Sequence, residues 1–189
     1  MQHKKPLELT DVEFRVVRDS AAALLCTIFI GIWSYWLLTH YYSIPTTTAD
    51  ALRFAFDWLV FPFVMLAVAI LMVSWGRRQS VTDSLGSAHS TPSRALAVKV
   101  AYLQNTLEQT VLLTGVVLIT AASLSPLLLA LIPGAIVAFV VGRVFFYIGY
   151  SHHPLQRAFG MALTMLPALG LLFLLLVIKL SESLQVWFF

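Results

Sequence analysis

Five apolar stretches dominate the chain, at residues 21–38, 58–75, 100–122, 127–150 and 160–180. Each is close to the ~20 residues that a helix needs to cross a bilayer. Only helices and closed barrels span lipid, because every backbone polar group must find a partner within the spanning structure. Barrel strands alternate polar with apolar residues over about ten positions. These stretches are longer and apolar throughout, so the pattern predicts five transmembrane helices. Pro62, Pro133 and Pro167 fall inside spans, where membrane helices tolerate them.

The polar segments between the stretches complete the outline. The first span is preceded by "MQHKKPLELTDVEFRVVRDS". That segment is long, and the apolar core after it exceeds the usual 7–15 residues of a signal peptide, so the first span is expected to stay. Residues 12–18 read as a short interfacial helix. The third and fourth spans are joined by the turn "SLSP" (residues 123–126). A Ser/Gly-rich loop, "GRRQSVTDSLGSAHSTPSR", joins the second and third. Thr91-Pro92 is expected to open the third helix, as N-cap followed by proline at the first helical position.

Composition agrees with a membrane protein. Only 11% of residues are charged, against roughly 25% in a soluble domain, and mean hydropathy is +0.86. The net charge of +3 is spread along the chain, so nucleic acid is not an expected partner. The single cysteine, Cys26, excludes an intrachain disulfide and reads as a small core residue. Lys4, Lys5, Arg15 and Arg18 precede span one, Arg77, Arg78, Arg94 and Lys99 lie between spans two and three, and Arg157 follows span four. The opposite side carries Arg53 and Lys179. The positive-inside rule then places the N-terminus in the cytoplasm and the C-terminus on the other side.

Against this background the charges inside the apolar stretches stand out. Arg143 lies seven residues before Tyr150, roughly 10 Å from the cytoplasmic end of its helix. On span three, Asn105 and Glu108 share a face at a similar depth. An intramembrane arginine and carboxylate should face each other and not lipid. The expected arrangement is an Arg143–Glu108 ion pair in a polar pocket between spans three and four, with Arg157 at its mouth. A salt bridge that only fixes helix packing is the bland alternative. Gln104, Gln109, Tyr147, Tyr150 and Arg157 gather near the same level, more partners than one ion pair needs.

"QNTLE", followed about forty residues later by "GRVFFYIGYSHHPLQR", resembles the MAPEG family, the membrane-associated proteins in eicosanoid and glutathione metabolism. The resemblance runs over about residues 58–180. The family's Asn-x-x-Glu, then Arg, a Tyr seven residues on, and an Arg beyond the turn match Asn105, Glu108, Arg143, Tyr150 and Arg157. It implies an all-α integral membrane protein: a MAPEG-like four-helix bundle at 55–189, and an N-terminal polar segment plus one extra transmembrane helix at 1–54. It also implies a homotrimer with glutathione as cosubstrate, bound between subunits on the cytoplasmic side. Two positions depart from many relatives. Ala101 stands where they carry a basic residue, with Lys99 or Arg94 as nearby substitutes, and Phe146 stands where they carry Tyr or His.

These residues suit such chemistry. Glutathione is anionic at its carboxylates and, when activated, at sulfur. A free thiol has a pKa of about 8.5, which nearby arginine lowers. The cofactor supplies the nucleophile, so no side chain has to. Following the resemblance, Arg157 is expected to be catalytic, as stabiliser of the thiolate. Asn105, Glu108, Arg143, Tyr150 and Arg157 would bind glutathione, and an apolar electrophile would arrive from the bilayer. The expected activity is a glutathione-dependent transferase or peroxidase; the alternative is a non-catalytic binding or scaffold protein of the same fold. A transporter fits less well, because the outer half of the spans is dry. No metal site is expected: His152-His153 reads as a solvated turn. Arg53 and Asp57 read as a surface i, i+4 pair. Trp33, Tyr35, Trp36, Tyr41 and Tyr42 read as an interfacial belt.

Overall fold

The computed structural model of the chain describes residues 9–86, 89 and 91–188. Among the described residues there is no strand, and five helices are long and apolar enough to cross a membrane. They are α1 (Leu9–Tyr41), α2 (Thr48–Arg77), α4 (Arg94–Ser123), α5 (Pro126–His152) and α6 (Ala158–Phe188). A short α3 (Val81–Ser84) lies in the α2–α4 loop, and a single 3-10 turn (Pro154–Arg157) links α5 to α6. All three intramembrane prolines lie within continuous helices. The four-helix unit with an added N-terminal helix is thus as expected. Its joint is the segment 42–47, so the division drawn between residues 54 and 55 cuts α2 after its second turn.

Several local expectations are corrected. Residues 12–18 are not a separate interfacial helix; α1 runs through them, because no proline or glycine interrupts "RDSAAALL". Lys4 and Lys5 lie outside the described residues. The N-cap of α4 is Ser93, not Thr91: its Oγ accepts from Leu96 N at 3.3 Å. The residue is committed to that role by Asp83, which accepts from Ser93 N at 2.8 Å and from Ser93 Oγ at 2.7 Å. These bonds hold the Asp83 carboxyl below its ordinary pKa of 3.8, the hydroxyl contributing most. Cys26 is exposed on the outside of α1, not in the core. Arg53 and Asp57 are both exposed and unpaired, and basic-before-acidic is the weaker i, i+4 order. Trp33, Tyr35, Trp36, Tyr41 and Tyr42 are exposed near the end of α1, as a belt requires.

The central helix is α5, the most buried of the five spans. It packs on α6 and α1, while α2 packs chiefly on α4. Two contacts fix how its neighbours sit. First, α5 and α6 meet backbone to backbone. A Cβ on Gly160 would fall on the backbone nitrogen of Phe146, and one on Gly142 would press on Gly160 carbonyl oxygen. Small residues allow such approach in membranes, where packing, not hydrophobicity, joins helices. Second, α1 reaches into α5 beside Pro133. Ser34 Oγ donates to Ala130 O at 2.8 Å and accepts from Gly134 N at 2.9 Å. A hydroxyl thus serves backbone groups in the turn that proline disturbs.

Candidate functional site

The basic ends of α2, α4, α5 and α6 lie at one end of the bundle, together with the start of α1. About two and a half turns below that end, Arg143 is fully buried. Its Nη1 donates to Asn105 Oδ1 on α4 at 2.7 Å. Its Nε and Nη2 donate to Thr164 Oγ1 on α6 at 3.1 and 2.8 Å. Thr164 Oγ1 in turn donates to Gly160 O at 2.7 Å. The Arg143 Cζ stands 4.8 Å from the ring centroid of Phe146 and 5.7 Å from that of Phe139. Neutral acceptors and aromatic faces therefore solvate the cation.

The expected Arg143–Glu108 pair does not form. Among the described residues the ion pairs are Arg18–Asp19 and Lys179–Glu182. Glu108 is exposed on α4 and accepts only from Gln104 Nε2, at 3.2 Å. Burying a carboxylate beside the arginine would add a second desolvation penalty. Asn105 supplies an acceptor at the same level without one.

Tyr150, one turn beyond Phe146, is half-buried, and the exposed Arg157 stands over it with Cζ 4.9 Å from its ring centroid. Phe146 lies between the two pairs, 5.7 Å from Tyr150 and 6.0 Å from Tyr102, ring to ring. The structure thus joins Asn105 to Arg143 and Tyr150 to Arg157, and leaves Glu108 on the outward face of α4. The histidines shape the turn that presents Arg157: His153 Nδ1 accepts from Leu155 N at 3.2 Å, and His152 Nδ1 lies 2.8 Å from Ile148 O.

Two cavities open at the same end of the bundle, and none of Asn105, Arg143, Tyr150 and Arg157 is among their lining residues. One, of about 560 Å³, lies against α2, α4 and α5 and is lined by Trp75, Arg78, Lys99 and Tyr147 among others. The second, of about 420 Å³, shares Lys99 and Tyr147 and adds Arg94 and Ser151. The bases near the missing one at Ala101 therefore do line open space. Arg78 joins them, although its position in the sequence spoke only for topology. Thr164 and Tyr102 were also missed. Thr164 had left a signal, as the one hydroxyl residue between Ala158 and Ile178. Tyr102 lies three residues before Asn105 and packs edge-on against Tyr147 at 5.1 Å.

A sequence model described as the MAPEG family matches residues 54–177. No curated protein and no solved structure gives a match. The matched segment includes both pairs, Glu108 and the cation-lined cavities, and it excludes α1.

Proposed function

The chain belongs to the MAPEG family, and from that premise we propose that it is a membrane-embedded glutathione-dependent transferase or peroxidase acting on apolar electrophiles. The observation that carries the reading is Arg157, exposed and stacked on Tyr150 at the end of the bundle where Arg78, Arg94 and Lys99 line open cavities. Glutathione brings two carboxylates, one ammonium and one thiol. Lys99, Arg78 and Arg94 receive the carboxylates. Glu108, free of any protein cation, receives the ammonium. Arg157 donates hydrogen bonds to the sulfur and favours the thiolate, and Tyr150 adds its hydroxyl.

Arg143 has no exposed surface, and acts on the ligand through Asn105. With Oδ1 held by the guanidinium, the Asn105 amide turns its NH₂ outward as a donor. The outward Glu108 and Gln104 would meet hydrocarbon in a lone protomer, an expensive position for a carboxylate. A homotrimer that encloses them between neighbouring copies removes that penalty, and native mass spectrometry in mild detergents tests it. The basic end faces the cytoplasm, where glutathione is supplied.

The experiment is a titration of glutathione into the purified protein in detergent, read by thiolate absorbance near neutral pH. The thiolate band should grow to saturation, and should be lost in Arg157→Ala. Binding without a thiolate band would favour the non-catalytic alternative. No binding at all would overturn the reading.

A further inference from the structure

The cavity of about 560 Å³ against α2, α4 and α5 has a lower half that glutathione does not account for. Its charged lining, Arg78 and Lys99, stands at the basic end of the bundle. A Cβ on Gly76 would lie 3.1 Å from Lys99 Cδ and 3.2 Å from its Nζ. Glycine thus leaves the flat surface on which the lysine reaches from α4 across α2. Below the two cations the wall is Val68, Leu71, Met72 and Trp75 of α2. Val68 lies about 15 Å from Arg78 along the helix, well inside the span Thr48–Arg77. Val68, Leu71 and Trp75 are exposed, so this half opens sideways toward hydrocarbon.

The two halves suit different chemistry. Arg78 and Lys99, with Arg94 in the adjoining cavity, meet no acidic residue among the lining of either. The upper half therefore favours an anion, and Ser74 and Tyr147 border it with hydroxyl donors. Val68, Leu71 and Met72 offer nothing to a polar group. A tripeptide laid along them would carry its charges into hydrocarbon, at a cost of several kcal/mol. An anionic phospholipid satisfies both halves, with its phosphate at the cations and one acyl chain down α2. Basic pockets between transmembrane helices favour such head groups, and Trp75 stands near the level where aromatic rings meet them. A choline head group would add a second cation to a lining that has no carboxylate to receive it.

We propose that this cavity seats an anionic phospholipid from the leaflet at the basic end, and that the lipid displaces glutathione from Arg78 and Lys99. The seat stands without the glutathione reading; the competition rests on it. The charge of the surrounding membrane then sets how tightly glutathione binds.

The test uses the full chain in nanodiscs. One phosphatidylglycerol and one phosphatidylcholine each carry a diazirine in an acyl chain. Phosphatidylglycerol should label the peptide containing Val68, Leu71 and Met72 at least about fivefold more than phosphatidylcholine does, and Arg78→Gln with Lys99→Gln should abolish that excess. Radiolabelled glutathione should bind at least about fivefold more weakly when half the lipid is phosphatidylglycerol than in phosphatidylcholine alone. Val68→Trp, at an exposed position, fills the lower half. It should remove most of that difference and keep the affinity seen in phosphatidylcholine. Repulsion of glutathione by a charged surface would act on the variant equally, so a difference that survives Val68→Trp would overturn the proposal. Equal labelling by the two lipids would also overturn it, as would glycerol phosphate binding as tightly as the whole lipid. Label confined to residues 68–72, with no glutathione bound in either membrane, would keep the lipid seat and remove the proposed function together with the competition that rests on it.

Discussion

Arg143 Nη1 lies 2.7 Å from Asn105 Oδ1, whereas Glu108, one turn further along the same helix, stands outside the buried network. The charge deep in the bundle is thus held by neutral groups from two neighbouring helices. That changes which substitutions should hurt most.

Removing an acceptor strands a cation; removing the cation strands only neutral groups. Thr164→Val takes the acceptor from two guanidinium N–H groups, and should destabilise by about 3 kcal/mol. Arg143→Met keeps the volume and should destabilise by about 1–2 kcal/mol. Thermal unfolding in detergent gives the order. If Arg143→Met were the worse of the two, the cation would be holding the fold in a way these bonds do not describe.

Arg157 is exposed, and its replacement should leave the fold intact. In Arg157→Ala the bound thiol should titrate nearer its free value of about 8.5, so less thiolate forms at pH 7 and turnover falls. Raising the pH toward 9 should restore part of the rate. A pH–rate profile for the variant that runs parallel to that of the unaltered protein would remove Arg157 from the thiolate.

The α5–α6 contact should be intolerant of a single methyl. Gly160→Ala places a carbon on the backbone of Phe146, and should lower stability by about 1–3 kcal/mol. Gly170→Ala meets nothing within 4 Å, and should be neutral or gain up to about 1 kcal/mol from helix propensity. Equal melting shifts in the two variants would mean the helices are further apart than the structure has them.

Orientation is tested by a C-terminal reporter. If the basic end faces the cytoplasm, five spans should put the C-terminal end of α6 on the far side. A reporter active only in the cytoplasm would reverse the assignment and turn Arg157 away from the glutathione pool.

Hydropathy made the five spans legible, since long apolar runs have one structural outcome in lipid. It could not show where α1 docks. That helix is apolar around most of its length, so no stripe marks the face that meets α5 and α6. Matched depth brought Asn105, Arg143, Tyr150 and Arg157 to one end of the bundle, but the Asn105–Arg143 and Tyr150–Arg157 pairings appear only in the structure. Glu108 misled because depth and charge alone favour it as the partner, while the choice depends on which way α4 is rotated. Asn105 and Glu108 lie about 60° apart on a helix wheel, enough to put one inside and the other out. The Ser93 cap was hidden for a different reason: Asp83, ten residues earlier, selects it over Thr91, and that contact depends on the path of the loop.

Ser34 carries a consequence for how the protein is made. Its two partners, Ala130 O and Gly134 N, come 96 and 100 residues later in the chain. At synthesis rates of roughly 5–20 residues per second, about 5–20 s pass before they can be reached. During that interval the first span lacks the partners that hold Ser34, and the bundle can close around α5 only when the fourth span arrives. Biogenesis of this chain therefore has a built-in order, in which the earliest helix to be inserted is among the last to be seated.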